Sequence, residues 1–367
     1  MKRILSFLCL ASSLAATETR PHPPETQPHP PSFQPSRPPP KPEEVDLFNR
    51  NDQAFILNGE FIYWTVSEGA LDYAIRMKRP AWGLPNNNNS ISYAQGDMER
   101  AEFDWDPGYR FSAGYFRAPN FWEVLGQYTF IHFDGHDRLK RPPASEDRYL
   151  TGTFPHIFTA PLQGATSDIH LHYQLVNLIT NRLFFPHDNP HLRIKLGGGI
   201  TAVWINQDWR VNYFSAIQNS TTIINRWRYW GIGMRGGISF DWFWGYDIYL
   251  SGTFSTALVV GHYHNHAKQE TSTPVITGDD PSVPVRDVRY KDYRMSFTHQ
   301  FVLGPSYQKS FGSFRFEIFA GYEMTLWTNL QEVFRSTAGP ADQAKETWIN
   351  DGLVALHGLT TRLSLSF

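Results

Sequence analysis

Leu353-Val354-Ala355-Leu356-His357-Gly358-Leu359-Thr360-Thr361-Arg362-Leu363-Ser364-Leu365-Ser366-Phe367 is the stretch that decides the fold. Successive side chains of a strand point to opposite faces. Leu359, Thr361, Leu363, Leu365 and Phe367 therefore share one face, and Thr360, Arg362, Ser364 and Ser366 the other. One face suits an apolar medium and the other suits water.

The same period of two recurs upstream. Phe314, Phe316, Ile318, Ala320, Tyr322, Met324 and Leu326 oppose Arg315, Glu317 and Glu323. Leu192, Ile194, Leu196, Ile200, Ala202 and Trp204 oppose Arg193, Lys195, Thr201 and Gln207. In 101–115 the odd positions are mostly aromatic or apolar and the even ones charged or small. The pattern predicts ten strands, at 54–67, 100–117, 121–134, 167–182, 190–207, 226–241, 246–263, 288–308, 313–329 and 352–367. Their connections alternate strictly between long and short, with long polar loops near 68–99, 135–166, 208–225, 264–287 and 330–351. A soluble sandwich has no reason to gather its short turns at one end, whereas outer-membrane barrels have short periplasmic turns, long extracellular loops and an even strand number. The expected fold is thus an all-β transmembrane antiparallel up-and-down barrel over 54–367, with twelve strands as the alternative if 70–77 or another loop segment adds a hairpin.

Composition agrees. Mean hydropathy is negative and, beyond the first sixteen residues, no apolar run reaches the ~20 residues of a membrane helix. Yet 15% of the 367 residues are aromatic, as expected when only alternate residues meet lipid. Trp64, Trp105, Trp204, Trp230 and Trp327 fall near long-loop ends and Trp122, Trp242 and Trp244 near short-turn ends, which predicts two interfacial belts. A net charge of −2 gives no basic surface for nucleic acid.

Met1-Lys2-Arg3 followed by an apolar run from Ile4 to Leu14 reads as a secretory signal peptide over 1–16. The single Cys9 lies inside it, so thiol catalysis, disulfides and Cys-based zinc sites are not expected in the exported chain. Segment 17–53 holds eleven of the 26 prolines between Pro21 and Pro42 and reads as a disordered periplasmic spacer. The terminal Phe367, preceded by Leu359, Leu363 and Leu365, looks like the signal read by the bacterial outer-membrane assembly machinery. That machinery and outer-membrane lipid are the expected partners; association with further copies of the chain is left open, and no cofactor is expected.

Several segments together resemble the Legionella- and chlamydia-type major outer membrane protein-like, pore-forming family. They are Phe61-Ile62-Tyr63-Trp64 with Glu68, Gly69, Leu71, Asp72, Tyr73 and Ala74; Phe103-Asp104-Trp105-Asp106-Pro107-Gly108-Tyr109-Arg110; Tyr128 to His132; Leu192 to Trp204; Trp230-Gly231-Ile232-Gly233 before Arg235 and Gly237; and Gly321-Tyr322-Glu323 with Trp327. The resemblance covers most of 54–367 and implies a porin-like channel in the outer membrane of a Gram-negative bacterium. The chlamydial proteins are cysteine-rich and cross-linked, a property the exported part of this chain does not share.

Alternation nominates Glu60, Glu102, Asp104, Arg110, Glu123, His170, His172, Arg193, Lys195, Arg235, Arg294, Arg315, Glu317, Glu323 and Arg362 as pore-lining residues. Charges of both signs can line a water-filled channel or pair across a plugged lumen, as in an adhesin or structural barrel. An omptin-like protease is the enzymatic alternative, with Asp134, His136 and Asp137 opening one loop, but no motif supports catalysis and none is expected. His262, His264 and His266 are a weak metal candidate, since alternate strand positions place three imidazoles on one face.

Overall fold

The computed structural model describes residues 53–78, 96–117, 121–143, 145–146, 148–154, 162–186, 189, 191–215, 219–272, 285–311, 314–337, 345–349 and 352–367. The predicted signal peptide and all but the last residue of the proline-rich segment lie outside these residues. Every regular element described is a strand: β1 (Gln53–Glu68), β2 (Asp72–Lys78), β3 (Gly96–Arg100), β4 (Asp106–Arg117), β5 (Trp122–Lys140), β6 (Arg148–Gly152), β7 (Gly164–Phe184), β8 (Leu192–Phe214), β9 (Ser220–Gly245), β10 (Ile248–Thr271), β11 (Arg286–Phe311), β12 (Phe314–Thr328), β13 (Val333–Thr337), β14 (Lys345–Ile349) and β15 (Val354–Ser366).

Ten of them close into an antiparallel barrel in the order β1-β15-β12-β11-β10-β9-β8-β7-β5-β4. Closure leaves no edge to expose unpaired backbone groups to lipid. At the seam, Phe55 N–H donates to Phe367 O at 2.8 Å and Phe367 N–H to Phe55 O at 3.0 Å. The turn between β9 and β10 carries positive φ at both Tyr246 (52°) and Asp247 (63°), the sense a two-residue type I′ hairpin needs to match strand twist.

The long-loop side differs from expectation in two ways. Segment 70–77 does form a strand, but β2 pairs with β3 and β6 in a separate three-stranded sheet and adds nothing to the wall. The wall strands also run further out: β8 and β9 occupy most of the predicted 208–225 loop, and β10 runs into the predicted 264–287 loop as far as Thr271. There the alternation continues with its polarity inverted. On β8 the inward residues Val203, Ile205, Trp209 and Val211 are buried, while Asn206 and Arg210 face out and are exposed.

That inversion divides the barrel into two storeys. The short-turn storey has an apolar exterior, with Leu57, Phe61, Ile200, Ile232, Leu363 and Leu365 exposed, and a polar interior. The long-loop storey has a polar exterior and an apolar interior. Its core joins Ile62, Trp64, Phe133, Leu171, Tyr173, Ile205, Tyr229 and Trp327 from the wall to Leu71, Tyr73, Leu150, Phe154, Leu162, Leu330 and Val333 from the loops.

Candidate functional site

The polar storey encloses a cavity of about 210 Å³ lined by five acidic residues (Glu60, Glu123, Asp241, Glu317, Glu323) and five basic ones (Arg110, Arg193, Lys195, Arg235, Arg362). β1, β4 and β12 bring Glu60, Arg110 and Glu323 together. Arg110 donates to Glu60 at 2.7 Å and to both oxygens of Glu323 at 2.8 and 3.0 Å, with its Nε on Thr129 at 2.9 Å. Thr360 and Gln300 also donate to Glu323, so the carboxylate is satisfied on both oxygens. Arg193 is clamped on Asp241 at 2.6 and 2.9 Å, Lys195 reaches Glu123 at 3.3 Å, and Arg362 holds Glu317 at 2.8 Å. A charge-assisted pair of this kind is held firmly when its remaining lone pairs are also met.

Arg235 is the exception. Its guanidinium donates to Ser255 at 2.6 Å, and among the described residues no carboxylate lies within ion-pair distance of it. Of the three basic residues Arg193, Lys195 and Arg235 nominated on neighbouring strands, only Arg235 is thus without a counter-charge among the described residues.

Above this cavity the lumen is shut. Trp64 donates from its indole to Thr360 at 3.1 Å, Tyr173 packs edge-on against Trp327 at 6.4 Å, and all three rings are buried. The loops close the top: Tyr213 Oη donates to Tyr73 O at 2.5 Å, Tyr73 Oη to Asp137 at 2.8 Å, Gln331 to Glu68 at 2.8 Å and Arg335 to Asp72 O at 3.1 Å. Burial, and then the hydrogen bond to Asp137 and its charge, push the Tyr73 phenol above its ordinary range.

Of the fifteen nominated lining residues, Glu60, Arg110, Glu123, Arg193, Lys195, Arg235, Glu317, Glu323 and Arg362 line the cavity. Arg315 faces inward near the short-turn end. Arg294 also faces inward but in the upper storey, on Glu332 at 3.0 Å and over the Tyr263 ring at 3.5 Å. The remaining four do not face the lumen at all. Glu102 and Asp104 are exposed on the segment leading into β4, with Ala101 and Phe103 turned into the core instead. His170 and His172 face outward, because Leu171 and Tyr173 of the same strand take the apolar upper lumen. Trp64 and Trp327, nominated for a belt, are inward core residues for the same reason. Trp105, Trp204, Trp230, Trp122, Trp242 and Trp244 are exposed on the outer surface. Sequence reasoning missed Asp241; its shared parity with Arg235 on the predicted 226–241 strand was the available signal.

The predicted trio His262, His264 and His266 does share the outer face of β10, but His262 packs edge-on against Tyr293 and His266 bonds Asp287 at 2.9 Å. Among the described residues, the ligand atoms that converge are instead those of His132, Asp134 and His170.

A closed antiparallel barrel, apolar outside between rings of exposed tryptophan and charged within, is an integral β-barrel protein of the bacterial outer membrane. Residues 50–365 match the family described as Legionella pneumophila major outer membrane protein precursor, and the chain belongs to that family. No curated protein matches it. Among solved structures it is similar to the outer membrane protease OmpT from Escherichia coli (10% identity, 86% of this chain and 96% of that one, TM-score 0.40). It is also similar to a Pseudomonas aeruginosa FadL homologue (8%, 86% and 90%, 0.25) and to a deletion mutant of the TodX monoaromatic hydrocarbon channel (6%, 87% and 91%, 0.21).

Proposed function

We propose that the protein is a porin-like channel for ions or small hydrophilic solutes, held shut at its long-loop end in the conformation described. The observation that carries this reading is the charged cavity of about 210 Å³ in which Arg235 has no carboxylate partner among the described residues. A barrel serving only as an envelope strut gains nothing from keeping a chamber and an uncompensated cation in its lumen, whereas polar lumens hold water and pass solutes. In this reading the protein is not an enzyme, and passage requires the loop elements over the apolar storey to move aside.

The packed upper storey supports a second reading, a permanently plugged surface or structural barrel. Single-channel recording in planar bilayers separates the two. The wild-type chain and Tyr73→Ala, which unties β2 from Asp137 and empties part of the closure, are compared. Conductance steps in either, more frequent in the variant, support the channel. A folded wild type and a folded variant that are both electrically silent select the plug.

A further inference from the structure

Two neighbouring wall strands build a second cluster, on the outer face and away from the lumen. In the β5–β7 register His132 stands opposite His172, Asp134 opposite His170, and His136 opposite Asp168. All six are outward positions, just past the last apolar outward residue of β5, Phe130. Cross-strand neighbours on one face have Cβ atoms about 4.5–5.5 Å apart, close enough for their side chains to meet at a common point. Here they do: His132 Nε2 lies 3.0 Å from Asp134 Oδ1, His170 Nδ1 contacts the same oxygen, and one ligand atom from each residue falls within a sphere of mutual distances of 4.8 Å. His172 stacks on His132 with ring centroids 3.9 Å apart.

We propose that His132, Asp134 and His170 form a binding site for a divalent transition-metal ion of the zinc type on the outer surface of the barrel, beyond the lipid-facing band. Two imidazole nitrogens and a carboxylate are a donor set that suits zinc. A tetrahedral ion with ligands at 2.0–2.2 Å asks for donors about 3.3–3.6 Å apart, which small side-chain rotations reach from the observed spacing. His172 or water completes the shell. The carboxylate-bearing backbone is already fixed: Asp134 O accepts from Asp104 N–H at 2.8 Å and Asp134 N–H donates to the Asp106 carboxylate at 2.9 Å. At the next rung, Gly135 lets that chain pass, since a Cβ there would stand 2.2 Å from Glu102 O. A bound ion joins β5 to β7 at the mouth and stabilises the folded barrel by mass action. The site does not depend on whether the lumen conducts.

The test is isothermal titration of the refolded full chain in detergent with zinc chloride alone, beside His132→Ala/His170→Ala and His262→Ala/His264→Ala/His266→Ala variants. One saturable site per chain is expected, at least about tenfold weaker in the first variant and kept in the second. No saturable uptake by the wild type overturns the proposal, as does equal affinity in the His132/His170 variant or loss confined to the β10 variant. Should the His132/His170 variant fail to refold, cobalt(II) titration of the β10 variant decides: visible ligand-field bands growing to one equivalent support the site, and their absence overturns it.

Discussion

Arg110 and Glu323, 213 residues apart in the chain, face each other across the lumen with two hydrogen bonds of 2.8 and 3.0 Å. β4 and β12 do not pair with each other, so this contact crosses the barrel rather than following a ladder. Removing one partner of a buried ion pair leaves the other uncompensated, at about 3–5 kcal/mol. Arg110→Ala, which strands both Glu60 and Glu323, is therefore expected to lower the urea midpoint of the refolded barrel clearly, and more than Glu323→Ala, which leaves Arg110 its bond to Glu60. Arg110→Met with Glu323→Leu together cost less than the sum of the single changes. An additive double-mutant cycle would contradict the coupling.

Arg235 offers the cleanest handle on selectivity. Because no carboxylate among the described residues pairs with it, Arg235→Ala leaves no orphaned acid there, unlike Arg193→Ala, which strands Asp241. Arg235→Ala is expected to fold as the wild type does and to shift the reversal potential of an open channel towards cations. An unchanged reversal potential would remove Arg235 from the conduction path.

The closure over the lumen depends on Tyr73. Its raised phenol pKa means that the folded state keeps the proton: the contribution is complete below the ordinary tyrosine value of about 10 and is lost as pH rises past it. Tryptic cleavage after Arg76 or Lys78 on β2 should accelerate above pH 10. In Tyr73→Phe that pH-dependent increment should be absent, while Tyr73→Ala should be cut rapidly at neutral pH.

Lipid contact separates the tryptophans. Quenching by brominated lipid should fall when Trp204 or Trp230 is replaced by Phe and stay unchanged for Trp64→Phe and Trp327→Phe, which are 1% and 0% exposed. Equal losses for all four would restore the belt assignment of Trp64 and Trp327.

Phe367 contributes a ring 6.1 Å from Phe55 as well as backbone bonds at the seam. Phe367→Ser keeps the backbone bonds, so refolding into detergent is expected to be nearly normal. If the terminal Phe is read by the assembly machinery, the amount of heat-modifiable barrel in cells should nonetheless drop several-fold. Parallel losses in both assays would assign the residue to stability instead.

How far the sequence could be read depended on the medium each face meets. Within the lipid-facing band, period two has one interpretation, and Phe314 to Leu326, Leu192 to Trp204 and Leu359 to Phe367 all point outward as their alternation implies. The nine cavity residues read from these strands follow from the same parity. Past the band, the polar face is the one that meets external water and the apolar face fills the lumen. His170 and His172, read with the band's polarity, and Trp64 and Trp327, read from their nearness to strand ends and not from the parity they share with Glu60 and Glu323, all face the other way.

The all-β barrel class, the ten wall segments and the membrane address were legible in the sequence alone, because alternation and turn spacing are local properties that lipid makes strict. That the segment at 70–77 stays out of the wall, leaving ten strands and not twelve, was decided by the pairing. Pairing was not legible. Only the register of the closed barrel sets Arg110 on Glu323, leaves Arg235 without a carboxylate among the described residues, and brings His170 to Asp134, while the ligand atoms of His262, His264 and His266 are not among those that converge there. Cross-strand and cross-lumen neighbours lie tens to hundreds of residues apart, and their meeting depends on register and curvature, which no local pattern encodes.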